Sequence, residues 1–199
     1  MRKLILSLCM VITISIALFL PGPARQFGSQ AAWTVPHLPY PIAKKRALVT
    51  PVGQSTDGLI VSEMLRELNI SHSFRRAATG EDLTQWYESL VLVLGYSDTG
   101  LHKVGLSMDD EIKRVQGLIS AARQKGCAVI VIHLGGKNRR NSKDDILINE
   151  FAAQANYLVV VKESDFDKLF SRIAAERGTP FTVSPGILYL KPPLNSAFR

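Results

Sequence analysis

Four polar side chains follow the first apolar run of the sequence, where a strand is expected to turn into a helix. The run from Ala47 to Val52 ends at Gly53, and the next residues are Gln54, Ser55, Thr56 and Asp57. A helix N-terminus attracts anions because its first N–H groups are unpaired and the helix dipole adds a partial positive charge. We therefore expect these four residues to contact an anionic ligand, although Ser55 or Thr56 would equally serve as an ordinary N-cap.

A glycine-rich polar loop follows the third apolar run, from Gly95 to Gly105, and within it Ser97 and Lys103 supply a hydroxyl group and a cation. Glycine lets the backbone approach a ligand closely. The loop lacks the Gly-Lys-Ser/Thr ending of a triphosphate-binding loop, and no Gly-x-Gly-x-x-Gly follows the first strand. These absences argue against a nucleotide.

The densest polar segment, residues 133–145, follows the fourth apolar run. Arginine side chains match the paired oxygens of a carboxylate or a phosphate. We expect Arg139 and Arg140, with Lys103, to balance the charge of the ligand, the alternative being a solvated basic loop. The full set expected from this segment is His133, Gly135, Gly136, Arg139, Arg140 and Asp144.

Two other chemistries would use the same side chains. Residues 53–57 partly match a nucleophile elbow around Ser55, but Asp57 stands where the second glycine belongs, and His133 and Asp144 follow in the wrong order for that hydrolase class. Metal ligands would come from three loops without recognisable spacing: His102, His133, Asp57, Asp98 and Asp144. The sequence therefore assigns no catalytic residue, no metal and no cofactor.

The elements that must position these residues alternate between strands and helices. Near-continuous apolar runs are typical of parallel strands with helices on both faces of the sheet. We predict a three-layer α/β fold with an open, mostly parallel five-stranded sheet and a possible C-terminal edge strand or hairpin. The five predicted strands are residues 47–52, 71–74, 90–94, 128–133 and 157–161.

The flavodoxin-like strand order 2-1-3-4-5 is favoured over 3-2-1-4-5. It places strands one, three and four side by side and gathers the three polar loops at one crevice beyond the carboxyl ends of the strands. In the other order the third strand would lie about 10 Å from the first, given about 4.8 Å between neighbouring strands.

Helical periods are expected between the strands, including one that ends in Leu83, Trp86, Tyr87 and Leu90. Four pairs of residues have the spacing of a capping box and are expected to begin helices. They are Thr79 with Asp82, Ser107 with Asp110, Ser142 with Asp145, and Ser164 with Asp167.

The N-terminus has the layout of an exported protein. Arg2 and Lys3 precede an apolar run from Leu4 to Leu20, and Ala24 is small enough for a cleavage site. We expect residues 1–24 to be a signal peptide or an uncleaved anchor, residues 25–45 a linker or strap, and residues 46–199 a single domain. Its expected location is extracytoplasmic, in the periplasm or at the cell surface.

Cysteine content limits the possible disulfides, and net charge limits the possible partners. Beyond residue 24 only Cys127 remains, so the domain cannot form an intramolecular disulfide. Removing Arg2 and Lys3 from the 24 basic residues leaves 22 against 17 acidic ones, a net charge of +5. This charge is mild, and no basic run interleaved with aromatic residues points to nucleic acid.

These motifs together resemble an exported bacterial family catalogued as domain of unknown function 6305. The resemblance covers residues 47–183. It is carried by Gln54-Ser55 with Asp57, the Gly95–Gly105 loop, and His133-x-Gly135-Gly136 leading to Arg139-Arg140 and Asp144. The family has no assigned activity, so the resemblance implies export and a shared pocket.

The sequence favours a non-enzymatic domain that binds a small anionic solute, a carboxylate or a phosphate-bearing metabolite, as an accessory to a transporter. One alternative is an extracytoplasmic hydrolase or metal-dependent enzyme that uses Ser55 or His133. The other is an interaction module that contacts an envelope protein.

Overall fold

The computed structural model describes residues 36–198, which contain six strands in one sheet. The strands are β1 (Ala47–Val52), β2 (His72–Phe74), β3 (Ser89–Leu94), β4 (Ala128–His133), β5 (Tyr157–Val161) and β6 (Phe181–Ser184). Their order is β2-β1-β3-β4-β5-β6, and every neighbouring pair is parallel. The predicted α/β class and the order 2-1-3-4-5 are confirmed, and the C-terminal segment adds a parallel strand at one edge.

Two apolar cores cover the two faces of this sheet. Alternate residues of a strand point to opposite faces, so Leu90 and Leu92 of β3 enter one core while Val91 and Val93 enter the other. Both β3 and β5 are buried along their whole length. Their continuous apolar sequences therefore reflect coverage by helices on both sides.

Between residues 36 and 198, six α-helices form the outer layers. They are α1 (Asp57–Glu67), α2 (Asp98–Val104), α3 (Met108–Gln124), α4 (Ser142–Phe151), α5 (Leu169–Arg177) and α6 (Lys191–Phe198). Short 3-10 turns span Gly136–Arg139, Ala152–Gln154, Lys162–Asp165 and Ile187–Tyr189. Helices α3, α4 and α5 contribute to one core, and α1 and α6 contribute to the other.

The helix predicted before β3 is absent, and that prediction was wrong. Residues 75–88 form turns, in which Leu83 and Tyr87 are buried against the sheet without helical structure. The Asp82 carboxylate accepts hydrogen bonds from the Thr79 N–H and hydroxyl groups, at 2.9 and 3.2 Å, and closes a turn instead of opening a helix. The apolar spacing indicated correctly that these residues are buried, but an irregular segment can bury them as well as a helix can.

The loop expected after β3 contains the short helix α2. Ser97 accepts a hydrogen bond from Gly100 N–H at its start, and Gly105 ends it in the left-handed conformation, with φ 69°. Of the four predicted capping boxes, only Ser107 with Asp110 is a complete box at a helix start. Asn141 caps α4 in place of Ser142, whereas Ser164 lies in a 3-10 turn, outside α5.

The described part of the segment before β1 lies against helix α6. Leu38 is buried and its N–H donates to Ser196 Oγ at 3.1 Å, while Ala43 N–H donates to the Ala197 carbonyl at 2.9 Å. The predicted signal segment, residues 1–24, and the first part of the predicted linker lie outside the described residues. Between residues 36 and 198, none of the helices combines the length and apolar character needed to cross a bilayer.

A buried ion pair supports the turn that follows β1. The Glu111 carboxylate of α3 is fully buried and accepts hydrogen bonds from Gly53 N–H at 2.8 Å and Gln54 Nε2 at 3.2 Å. It pairs with Arg114 at 2.7 Å, and the same guanidinium donates to the Pro51 carbonyl at 2.8 Å. Helix α3 thus holds the end of β1 through charge-assisted hydrogen bonds.

Replacing Glu111 with alanine should lower the free energy of unfolding by about 3–5 kcal/mol, because Arg114 would lose its buried partner. Denaturant unfolding followed by circular dichroism measures this change. Lys113→Ala, at an exposed neighbouring position, is the control and should stay within about 0.5 kcal/mol of the parent. Equal effects of the two substitutions would mean that the ion pair does not hold this turn.

Candidate functional site

The turns after β1, β3 and β4 lie side by side at the carboxyl edge of the sheet. Val52 is in register with Leu94, and Leu94 with His133. The strand order therefore brings together the three segments that carry the predicted site residues, as the sequence indicated.

Main-chain hydrogen bonds join the turns after β1 and β3. Gly95 N–H donates to the Val52 carbonyl at 2.9 Å, Ser55 N–H to the Gly95 carbonyl at 3.1 Å, and Ser97 N–H to the Gly53 carbonyl at 2.7 Å. An isolated bridge pairs Gln54 with Tyr96. The crevice expected between these two turns is consequently closed, and Gln54 and Ser55 are each 1% exposed.

Of the residues between β1 and α1, Gln54 is bonded within the protein, whereas the Thr56 side chain does not cap α1. Gln54 adopts a positive φ of 64° and its Nε2 donates to the Arg76 carbonyl and to Glu111. Thr56 occupies the N-cap position of α1 without a side-chain hydrogen bond to the helix and is exposed. In helix α2, Ser97 is the N-cap and Lys103 is exposed in the last turn.

Besides Glu111, the acidic residues Asp57 and Asp144 are buried beside the turns after β1 and β3. Asp144 is 1% exposed, and its Oδ1 accepts a hydrogen bond from Tyr96 N–H at 2.7 Å. Asp57 is 7% exposed, and its N–H donates to Ser55 Oγ at 3.3 Å. We refer to Asp57, Asp144 and the neighbouring Arg139 as the acidic pair and its arginine.

Each carboxylate of the acidic pair keeps one oxygen without a donor. Within residues 36–198, three buried side-chain oxygen or nitrogen atoms lack a hydrogen-bond partner: Gln54 Oε1, Asp57 Oδ2 and Asp144 Oδ2. All three belong to residues predicted to bind a ligand. A buried oxygen without a donor costs free energy, so these atoms mark a place where a donor from outside the chain would be stabilising.

Burial and neighbouring groups shift the pKa of Asp57 in opposite directions. Burial raises the pKa of the Asp57 carboxyl above its usual value, because the charged form loses its hydration. The Arg139 guanidinium and the Ser55 hydroxyl lower the same pKa, and the nearby Asp144 carboxylate raises it. The net direction is upward, so the Asp57 proton is held more tightly than in an exposed aspartate.

Arg139 reaches from the 3-10 turn after β4 to the turn after β3. Its Nη1 donates to the Tyr96 carbonyl at 2.6 Å, and the side chain is half-buried. It folds closely over Gly135, where an added Cβ would lie 1.9 Å from Arg139 Cγ. Among the described residues no other hydrogen bond to this guanidinium exists, so its remaining N–H groups have no partner within residues 36–198.

His133 is buried and satisfied at both ring nitrogens. Nε2 lies 3.0 Å from the Arg139 carbonyl, which can only accept, so this nitrogen carries the proton. Nδ1 lies 2.8 Å from Ser164 Oγ, whose hydroxyl also accepts from Gly136 N–H at 3.1 Å. Burial lowers the pKa of His133 to about 4. The ring is therefore neutral and positions the turn after β4.

Arg140 is directed into the protein, away from the acidic pair. Its side chain is 1% exposed and bonds to Asp145 at 2.6 Å and to Asp167 at 2.7 Å. The guanidinium also lies over the Phe166 and Phe170 rings, 5.1 and 5.6 Å from their centroids. Its hydrogen bonds lower the pKa of Asp167 to about 2. These partners occupy the donors that the sequence interpretation reserved for an anion.

A small cavity opens at the same edge, beside the ends of β4, β5 and β6. It has a volume of about 250 Å³ and contains two predicted residues, Gly135 and Gly136, together with Glu163, Gly186 and Ile187 in its wall. Gly136 has a φ of 57°, and a Cβ there would lie 3.0 Å from Glu163 Oε2. The positive φ therefore favours glycine at this turn.

The geometry does not assemble the alternative chemistries. Ser55 Oγ accepts from Asp57 N–H, while both nitrogens of His133 bond to other groups, so these residues form no serine–histidine pair. Between residues 36 and 198, no three His, Cys, Asp or Glu side chains are placed to hold a metal ion.

Two further residues, Tyr96 and Ser164, belong to this edge but were not predicted from the sequence. Tyr96 supplies both a main-chain donor to Asp144 and a carbonyl acceptor to Arg139. Ser164 links His133 to Gly136. The sequence signal for Ser164 was its spacing from Asp167, which was interpreted as a helix cap; main-chain contacts such as those of Tyr96 leave no side-chain signal at all.

A family model described as "Domain of unknown function (DUF6305)" matches residues 44–198. No curated protein and no solved structure matches the chain. The matched range contains all six strands and every residue of the acidic pair and its arginine.

Stability should decrease as the pH falls from 6.5 towards 4, in the part contributed by His133. Its folded pKa of about 4 lies below the ordinary value of 6.5, so in this window the unfolded chain binds a proton that the folded chain excludes. The slope from one proton is at most about 1.4 kcal/mol per pH unit. His133→Gln should flatten the measured pH dependence of unfolding, whereas exposed His102→Gln should leave it unchanged.

Proposed function

Since the chain belongs to the family described as domain of unknown function DUF6305, we propose a function from its geometry: a non-enzymatic domain that binds a small carboxylate solute at the carboxyl edge. The observation that carries this proposal is the acidic pair, whose two buried oxygens lack donors beside an arginine with open N–H groups. A ligand that offers both an acceptor and a donor complements all three side chains.

The arginine selects the anionic end of the solute. Arg139 is the half-exposed member of the group, so a ligand arriving from solvent meets its guanidinium first. A guanidinium binds a carboxylate through two parallel charge-assisted hydrogen bonds. A phosphate dianion is disfavoured because Asp57 and Asp144 lie close behind this single cation and would repel the second negative charge.

The acidic pair selects a hydrogen-bond donor on the same molecule. Asp57 Oδ2 and Asp144 Oδ2 are acceptors when ionised, and an ammonium or hydroxyl group would satisfy them. The solute class that fits is a small amino acid or hydroxy acid. Its donor group reaches the buried oxygens after the Arg139 side chain shifts, which breaks one hydrogen bond, to the Tyr96 carbonyl.

The proposal also includes export of the domain and a partner protein. The charged start and apolar run of residues 1–20 support secretion or anchoring outside the cytoplasm. Residues 36–198 form a single sheet, without a second lobe to close over a ligand. Tight capture therefore requires a partner, and a membrane transporter served by this domain fits that requirement.

Thermal shift and calorimetry against a solute panel test the proposal. The panel contains amino acids, 2-hydroxy acids, simple monocarboxylates, inorganic phosphate and Mg²⁺. Acids that carry an amino or hydroxyl group should raise the melting temperature most, because only they engage both Arg139 and the acidic pair. Stabilisation by phosphate or Mg²⁺ alone, or by none of these compounds, would overturn the proposal.

Arg139→Ala should weaken binding of the best acid by roughly tenfold or more, since charge-assisted hydrogen bonds contribute about 1.5–3 kcal/mol each. Asp144→Asn should weaken an amino acid more than the corresponding hydroxy acid, because it removes a charge facing the ammonium group. Exposed Arg172→Ala, which removes a cation from helix α5, is the matched control. Unchanged affinity in Arg139→Ala would exclude this arginine from the site.

A further inference from the structure

The segments that enter β1, β3 and β4 lie side by side at the amino edge of the sheet, where the parallel strands begin. Ala47 is in register with Ser89, and Ser89 with Ala128. The Glu88 N–H also donates to the Arg46 carbonyl at 3.0 Å. The sheet therefore brings three segments that are distant in sequence to one surface. We refer to these segments, residues 44–46, 85–88 and 123–127, as the basic edge.

Five cations and one carboxylate occupy the basic edge, which gives it a local net charge of +4. The cations are Lys44, Lys45, Arg46, Arg123 and Lys125, of which Arg46 is half-buried and the others are exposed. The carboxylate belongs to Glu88. The chain beyond residue 24 has a net charge of +5, from 22 basic and 17 acidic residues. Most of that excess therefore lies at this one edge.

The described residues leave most of this charge without an acidic partner. Glu88 lies 2.6 Å from Arg46 and 3.9 Å from Lys44, so one carboxylate serves two cations. The other three cations, Lys45, Arg123 and Lys125, form no ion pair within residues 36–198.

Two of those three cations are bonded to neutral groups. Arg123 donates to Gln154 Oε1, and Lys125 donates to the Leu83 carbonyl. Glu150 shares a cleft with Arg123, but its carboxylate accepts from Gln116 Nε2 at 2.6 Å. The positive charge of the basic edge is therefore available to an anionic surface outside the chain.

A hollow of about 290 Å³ opens within the basic edge. Lys44 and Lys125 contribute to its wall from different segments, and Glu88 lies between them in the same wall. A lysine ammonium binds phosphate as a point charge. Because Arg46 already pairs with Glu88, the two lysines give the hollow the charge that an anionic lipid headgroup requires.

Trp86 adds an amphipathic ring to the same surface. It is 45% exposed, and the Arg46 guanidinium lies 5.8 Å from its ring centroid. Tryptophan is enriched where proteins meet the membrane–water interface, because its ring is apolar and its N–H is polar. Lysine and arginine side chains extend from such a ring to the level of the headgroups. The combination favours a lipid surface over a purely electrostatic partner.

The sequence before the described residues supplies the argument for a bilayer over an acidic protein. Residues 4–20 are predominantly apolar, and as an anchor they would hold the domain beside a bilayer. The 15 residues from 21 to 35 can span at most about 50 Å. Lys44 follows residue 36 by only eight positions. Tethering on this scale keeps lipid at a high effective concentration around the domain, so weak contacts suffice.

We propose that the basic edge docks on an anionic lipid bilayer, with Lys44, Lys45 and Lys125 against the headgroups and Trp86 at the interface. The acidic pair and its arginine lie beyond the other ends of the same strands. Docking would therefore leave that edge facing away from the lipid, and this inference does not rest on the proposed solute site.

Vesicle flotation tests the docking on a form that begins at residue 25. This form lacks the apolar run, which would insert by itself, and keeps residues 35–199, which are one contact unit. Vesicles of equal parts phosphatidylglycerol and phosphatidylcholine should carry the protein, and pure phosphatidylcholine should not. High salt should release it, because salt screens exposed charges. Failure to bind the anionic vesicles, equal binding to the neutral ones, or binding of polyglutamate alone would overturn the proposal.

Lys44→Gln combined with Lys45→Gln should weaken binding to the anionic vesicles by about 25-fold, because each cation near such a surface contributes about fivefold. Lys113→Gln combined with Lys162→Gln removes the same charge from exposed positions in the first turn of α3 and after β5. This second pair should have little effect. Equal weakening by both pairs would mean that net charge alone, and not the basic edge, drives the binding.

Tryptophan fluorescence identifies the surface that meets the lipid. The chain has two tryptophans, Trp33 and Trp86, so Trp33→Phe leaves Trp86 as the only emitter. Its emission should shift to shorter wavelength when the protein binds the anionic vesicles, because the ring leaves water. Unchanged emission from vesicle-bound protein would place the contact elsewhere on the molecule and contradict the proposal.

Discussion

The hydrogen bonds that join the turns after β1 and β3 are the constraint on which the carboxyl edge depends. They continue the pairing of the two central strands beyond their last residues, through Gly95, Ser55 and Ser97. The buried Glu111–Arg114 pair holds the same turn from the side of α3. Because these turns are fixed to each other, the start of α1 and the main chain of Tyr96 lie next to one another. Asp57 and Asp144 are both buried beside them.

Because the two turns are joined, the charged groups of Asp57 and Asp144 are kept from solvent. In an open crevice, solvent would hydrate both aspartates; here both are buried with Arg139 as their neighbouring cation. Burial of two carboxylates near one guanidinium leaves negative charge and acceptor capacity in excess. This excess is the reason why we propose a solute that carries a donor as well as an anionic group. The second arginine, Arg140, does not relieve this excess, because Asp145, Asp167 and two aromatic rings hold it.

The turn after β4 connects the acidic pair to the small cavity. Gly135 lies under the Arg139 side chain, and Gly136 lines the cavity and donates to Ser164. His133 fixes both ends of this turn by bonding to Ser164 and to the Arg139 carbonyl. The Arg139 side chain thus lies over a turn whose other side faces the cavity.

By itself the sequence determined the class of fold and the strand order. Continuous apolar runs at β3, β4 and β5 require helices on both faces of the sheet, and polar turns after three of the strands favoured the order that gathers them. It also identified the residues of the edge, since the acidic pair, Arg139 and both glycines were all named from their positions after strands. The apolar runs and the polar residues that directly follow them are local features, so they can be recognised in the sequence.

Only the tertiary structure decided the direction in which each of these side chains points. Arg139 and Arg140 are adjacent in sequence and identical in type, yet one faces the acidic pair and the other is buried against Phe166 and Phe170. Likewise, Leu83 and Tyr87 have helical spacing but lie in turns, because burial against the sheet satisfies the same pattern. The direction of a side chain and the closure of a crevice depend on main-chain bonds between distant segments. Such bonds involve main-chain groups that every residue carries, so the identities of the side chains do not predict them.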